Sequence, residues 1–337
     1  MTRVFLHMGA GKTGTSAIQA SLALHRPILA AAGLFYPQSS DIAEARAQAG
    51  EVSSGNGAPL SRFLSKNKQR AGWTPAETEA FLDAAFRAAD GRDLLFSSEG
   101  MQAARQRPLA ELIRLIDARG GQVHIIFYLR HVLDVVVSAF AQFAKSGALE
   151  RLDEDRRTID PWVAAAQVNW AAQLEAFANA VGRERLHTRL YDAERRALFP
   201  GLLAIINPEL PRKIPPADAG GVVNRTPNLA ELTLMLELNA LPRAPVVSRL
   251  VMNALLNGPP VVEAPPLHVS PEAFAAFTAN NEAMVRRVNE AFLPAATPLM
   301  LTSGRYPVGV PPTVSAQDVA RVAAQAIGAL RLAQQKR

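Results

Sequence analysis

Val4-Phe-Leu-His-Met8 is a short apolar run that stops at Gly9, and the apolar positions from about Ala17 to Ala32 recur at helical spacing. A brief apolar run bounded by glycine is the pattern of a buried strand. A three-to-four residue recurrence is that of a helix with one face inward. The same alternation continues along the chain. Strands are predicted at 3–8, Gly33–Pro37, from Asp93 to the Ser97-Ser98-Glu99 end, Gln122–Arg130 and Arg185–Tyr191. Between them helices are predicted at about 75–90, opened by Thr74-Pro75, and at 108–118, stopped by Gly120-Gly121. Two more run from Val132 to about Gly147 and over 160–181, the second stopped by Gly182. Strands that alternate with helices imply a parallel sheet covered on both faces. The fold class is therefore α/β: a three-layer sandwich with a central parallel sheet, plus additional C-terminal helices at about 228–239, 243–256, 271–292 and Ser315–Gln334. One domain is expected, with its core at about 1–206 and a helical extension at about 207–337. Residues 38–72, rich in Ser, Gly, Ala and Gln, are expected to form an excursion with little regular structure.

The turn after the first strand carries the chemistry. Gly9-Ala-Gly-Lys-Thr-Gly-Thr-Ser16 has three glycines, one lysine and three hydroxyls, and leads straight into a helix. Glycines let backbone N–H groups approach an anion, and the helix start adds the positive end of its dipole. Strand, glycine loop, lysine and helix thus form a P-loop-type phosphate loop. The NTP-binding version reads G-x-x-x-x-G-K-[ST] and pairs with a magnesium-holding aspartate at the end of another strand. Here the first glycine position is Leu6, and the later strands end on Glu99 and Arg130. An arginine in that place suits a phosphate without calling for Mg²⁺.

Arg130, Asp134 and Ser138 recur every four residues across a strand–helix junction, so they can share one side of it. Arginine grips phosphate with two parallel N–H bonds, serine adds a hydroxyl, and a first-turn aspartate suits the dipole and can hold Arg130 in place. The same three residues also fit an ordinary strand-end ion pair and an acidic first helical turn.

With both motifs in view, the chain resembles the PAPS-dependent sulfotransferases, where PAPS is 3′-phosphoadenosine 5′-phosphosulfate. Lys12-Thr-Gly-Thr-Ser16 looks like their 5′-phosphosulfate loop, P-K-[ST]-G-T-[TS], with Gly11 in place of proline. Arg130-His-Val-Leu-Asp-Val-Val-Val-Ser138 matches their 3′-phosphate motif, R-x-P-x-D-x-x-x-S, with Val132 in place of proline. The motifs stand in the family's order, roughly 115 residues apart along a βαβ-type chain, and cover the first half of the sequence. The resemblance implies that Gly11, Lys12, Thr13, Gly14, Thr15 and Ser16 cradle the phosphosulfate, with Lys12 also catalytic. It implies that Arg130 and Ser138 hold the 3′-phosphate, and that a late basic loop closes over the nucleotide, for which Arg225 is the nominee. An ordinary helix-entry loop fits Arg225 as well. PAPS would be the co-substrate and PAP (adenosine 3′,5′-bisphosphate) the product, with no metal required.

Sulfuryl transfer to an alcohol needs a base for the hydroxyl proton. In relatives acting on carbohydrates a glutamate serves, and Glu99 is the catalytic nominee here. The alternative for Ser98-Glu99 is a helix cap with an acidic first turn. His7, inside the first strand, reads as structural, and His131 is given no catalytic role. There is no cysteine and no pair of histidines at ligand spacing on a helix, so no metal site is expected.

Composition alters this picture little. The chain has 337 residues, is 49% hydrophobic and carries a net charge of +6, with a pI near 10.0. That balance suits an anionic ligand, while the absence of a dense Lys/Arg run argues against a nucleic-acid partner. Without a basic and apolar leader pattern at Met1, or an apolar stretch of about 18 residues, a cytoplasmic location is expected, with a hydroxyl-bearing acceptor (glycan, glycolipid or small metabolite) as partner and a homo-oligomer possible. The competing readings are a P-loop kinase using ATP and Mg²⁺, and a nucleotide-binding relative without activity.

Overall fold

The computed structural model of the chain describes residues 1–38, 55–64, 74–151, 158–214, 226–241, 244–256, 258–310 and 312–335. Two compact units emerge. The first comprises Met1–Arg130, Asn169–Val223 and Arg287–Leu299; the second comprises His131–Val168, Asn224–Arg286 and Met300–Arg337.

The first unit is built on a five-stranded, all-parallel sheet. Its strands are β1 (Thr2–Gly9), β2 (Leu34–Phe35), β3 (Asp93–Ser97), β4 (Gly121–Leu129) and β5 (Leu186–Leu190), in the order β2-β3-β1-β4-β5. β1 lies in the middle because it is apolar on both faces, as a central parallel strand must be. Its register sets Phe5 beside Leu95 and His124, and Leu6 beside Phe96 and Ile125. On one face Phe5, Leu95, Ile126 and Tyr128 pack with Ile18 and Leu22 of the helix Thr15–Leu24 and with Leu202 and Ile206 of the helix Leu198–Ile206. On the other face Phe96 meets Phe81 of the helix Pro75–Ala89, and Phe127 meets Phe177 of the helix Trp170–Val181. The helix Gln106–Asp117 also packs on β4. A parallel sheet with helices on both faces is the class the alternation predicts.

The chain leaves β1 for β2 on one side and later reaches β4 on the other. The carboxyl end of β1 is therefore the point where the winding reverses, and in such sheets ligands bind there.

The second unit is helical. Its helices Leu229–Asn239, Ala244–Leu256 and Ala316–Gln335 pack on one another, and the first two also pack on Val132–Ser146. Among the described residues no helix is long and apolar enough to cross a membrane.

Three expectations need correction. The single helix expected to about Ala32 is two, Thr15–Leu24 and Arg26–Ala31. Within 38–72, Ala58–Leu64 is a helix with Leu60, Phe63 and Leu64 buried; 39–54 and 65–72 lie outside the described residues. The segment docks because Asn56 substitutes for a strand neighbour of β3. Its Oδ1 accepts from Ser97 N at 2.7 Å, and its Nδ2 donates to Leu95 O at 2.9 Å.

The helix predicted over 160–181 is two helices, Ile159–Ala164 and Trp170–Val181. Side-chain amides of the helix Pro271–Phe292 take over the backbone bonds at the break. Asn281 Oδ1 accepts from Val168 N at 2.9 Å, Asn281 Nδ2 donates to Ala166 O at 2.9 Å, and Asn280 Nδ2 donates to Ala164 O at 2.9 Å. A backbone supplied with such partners has no need to continue as helix.

Candidate functional site

The loop between β1 and the helix Thr15–Leu24 is held in one shape by its own atoms. Thr13 Oγ1 donates to Ala10 O at 2.7 Å. Gly9 has to be glycine, since a Cβ there would run into Thr13 Oγ1. Lys12 and Gly14 both adopt the left-handed region, at φ 67° and 74°. Glycine does so without strain, but lysine does not. Gly14 is also covered, because a Cβ on it would collide with Leu198 and come within 3.1 Å of Tyr191 Cε2.

The helix begins at Thr15, whose hydroxyl is buried and has no hydrogen-bond partner among the described residues. At 4% exposure such a hydroxyl is costly unless a ligand completes it. It stands at a helix start, where an anion is favoured.

Glu99 enters from the end of β3. Ser98 N donates to His7 O at 3.1 Å, which extends the β3–β1 pairing by one residue, and a 3₁₀ turn, Glu99–Ala103, follows. Ser98 makes no side-chain cap bond, so the turn does not depend on it. Glu99 Oε1 lies 3.4 Å from the point a Cβ on Gly11 would occupy. The carboxylate is thus laid against the loop.

Lys12 and Glu99 are exposed, yet the protein packed around them shifts the titration of both. Burial lowers the Lys12 pKa; the Glu99 charge opposes that, and the Arg130 charge adds to it. Burial raises the Glu99 pKa, and the Lys12 charge opposes that. Burial pushes both groups toward their neutral forms, and the charge of each draws the other back toward the ionised form.

Arg130 arrives from the end of β4, 6% exposed. Its Nη1 donates to Lys12 O at 3.1 Å, its Nε lies 3.9 Å from Asp192 Oδ1, and its guanidinium lies over the Tyr191 ring at 5.4 Å. The carboxyl ends of β1, β3, β4 and β5 thus bring Lys12, Glu99, Arg130, Tyr191 and Asp192 to one place.

Ser138 is buried on the helix Val132–Ser146 of the second unit, and Asp134 of that helix accepts from Ser303 N at 3.2 Å and Ser303 Oγ at 2.9 Å. The helix start is already bonded: Val132 N donates to Met300 O at 3.2 Å, and Leu133 N donates to Leu301 O at 2.8 Å. His131 Nδ1 accepts from Met300 N at 3.1 Å. Arg225 lies outside the described residues. His7 is fully buried, with Nδ1 bonded to Ser97 Oγ at 2.8 Å, and its pKa is lowered to about 3 by burial.

Sequence reasoning passed over Tyr191, Asp192 and Asn56. The first two follow β5 directly, and the rule that ligands gather at strand carboxyl ends applied to them as it did to Glu99. Asn56 sits in Gly55-Asn-Gly57, a turn signal that says nothing of what the side chain will bridge. Among the described residues, no three His, Asp or Glu side chains are grouped to hold a metal ion.

No protein-family model and no curated protein matches the chain. Among solved structures it is similar to the crystal structure of a sulfotransferase from Alicyclobacillus acidocaldarius. The match has 14% identity, covers 87% of this chain and 97% of that one, and has a TM-score of 0.39. At that score the likeness says nothing about chemistry.

Proposed function

We propose that the chain is a sulfotransferase that moves a sulfuryl group from PAPS to a hydroxyl of an acceptor such as a glycan, glycolipid or small metabolite. The observation that carries this reading is the set of groups around one loop: Lys12, a buried Thr15 hydroxyl at a helix start with no partner among the described residues, Glu99 against Gly11, and Arg130 behind Lys12. The set supplies anion-binding donors and a carboxylate base within one crevice. PAPS brings the activated sulfuryl group. In the resembling family the equivalents of Arg130 and Ser138 hold the 3′-phosphate.

Each residue then has a task. Backbone N–H groups from Gly11 to Ser16 and the Thr15 hydroxyl hold the 5′-phosphosulfate. Lys12 offsets the negative charge that grows on the bridging oxygen as the sulfur–oxygen bond breaks. Glu99, its carboxylate form favoured by the Lys12 charge, takes the proton of the acceptor hydroxyl as that oxygen bonds to sulfur. PAP leaves with the electron pair of the broken bond.

Lys12→Ala is expected to lower turnover at least about a hundredfold, the scale of losing one transition-state donor, measured as radiolabelled sulfate transfer from PAPS to a panel of hydroxylated acceptors. Wild-type transfer with undiminished turnover in Lys12→Ala would remove Lys12 from the mechanism.

A further inference from the structure

We propose that Arg130 is a positioning residue for Lys12, acting through the backbone of the loop as a brace; for its effect on chemistry this rests on the nucleotide reading above. Lys12 is one of two described non-glycine residues with positive φ, at 67°. A lysine held in the left-handed region is strained by roughly 1–3 kcal/mol, so something must hold it there. The Lys12 carbonyl accepts from Arg130 Nη1 at 3.1 Å.

The brace is itself fixed. The Arg130 side chain is 7% exposed, beside Asp192 Oδ1 at 3.9 Å and over the Tyr191 ring at 5.4 Å. Tyr191 also packs where a Cβ on Gly14 would stand, 3.1 Å from its Cε2. Two consecutive residues after β5 therefore steady Arg130 on one side and the far end of the loop on the other. Meanwhile the first amides of the helix that follows Arg130 are bonded to Met300 O and Leu301 O. The hydrogen bond of Arg130 to Lys12 O ties its side chain to the 5′ loop.

A brace and a 3′-phosphate anchor differ in what they do to a nucleotide that lacks the 3′-phosphate. In Arg130→Gln, the brace predicts that 5′-AMP, which has no 3′-phosphate, binds about tenfold more weakly, by titration calorimetry, whatever further loss PAP shows. Undiminished 5′-AMP affinity would overturn the brace and leave Arg130 with the 3′-phosphate alone.

Amide hydrogen exchange in the ligand-free protein gives an independent reading. Arg130→Gln should speed exchange across Gly11–Thr15. It should do so much less in a Lys12→Gly background, where the left-handed turn needs no support. Arg130→Lys keeps the charge but lacks the planar fork, and should speed exchange as well. Unchanged exchange in both Arg130 variants would overturn the proposal. If the wild-type protein binds neither nucleotide, the functional reading fails while exchange still decides the brace.

Discussion

Lys12 and Glu99 shift each other's protonation in opposite senses, which makes their contact measurable without any substrate. Burial raises the Glu99 pKa, and the Lys12 charge pulls part of that back. Lys12→Met keeps the bulk and removes the charge, so the Glu99 pKa should climb further, read by carbon NMR titration of its carboxyl. An unchanged or lower value would separate the two groups. On the sulfotransferase reading, transfer should fall as acid protonates Glu99, and the fall should begin at higher pH than for an ordinary carboxylate.

His7 tests the core beneath the loop. Its pKa is lowered from 6.5 to about 3 by burial, so the unfolded chain takes up a proton that the folded chain refuses. Its contribution to stability is full above pH 6.5 and is lost as pH falls from there toward 3, at roughly 1.4 kcal/mol per pH unit. Urea unfolding at pH 7 and pH 5 should show this loss, and His7→Gln should lessen the slope by about that amount. An equal slope in the variant would mean that His7 is protonated in the folded state.

These residues were legible because each stands next to a chain signal: Lys12 among glycines, Glu99 and Arg130 at strand ends. Asn56 and Asp192 were not. Their importance lies in partners far along the sequence, Ser97 for one and Arg130 for the other.

At the scale of elements, local chemistry announced the helix starts well. Thr74 and Asn228 each form a capping box, with Glu77 and Glu231 respectively, and both lie where turn residues precede an apolar period. The break between Ala164 and Trp170 carries no such mark. Ala165-Ala-Gln-Val-Asn169 contains neither glycine nor proline, and the helix stops because Asn280 and Asn281 satisfy its backbone from another element. Tertiary hydrogen bonds of that kind override a continuous helical pattern.

The loop between β1 and the helix Thr15–Leu24 has the reverse property, since its shape is written in its glycines. Gly14→Ala meets a left-handed φ of 74° and a collision with Leu198. It should lower stability by about 2 kcal/mol or more and weaken PAP binding, by denaturant unfolding and calorimetry. Wild-type stability in this variant would show that the loop has another shape.

At the scale of the molecule, the alternation of strands and helices specified the parallel sheet. The reversal of winding at β1 then fixed which strand ends share a crevice. Topology thus brings together Lys12, Glu99 and Arg130, which the sequence scatters between position 12 and position 130. A net charge of +6 is in keeping with an anionic ligand but names none.

The most direct test of the sulfotransferase reading is a thermal-shift titration of the full chain with PAP, 5′-AMP, and ATP plus Mg²⁺. A ligand that binds only the folded form raises the melting temperature by mass action. The account predicts a saturable rise with PAP that exceeds the rise with 5′-AMP, and no gain from adding Mg²⁺. A rise with ATP plus Mg²⁺ and none with PAP would contradict it and favour a kinase.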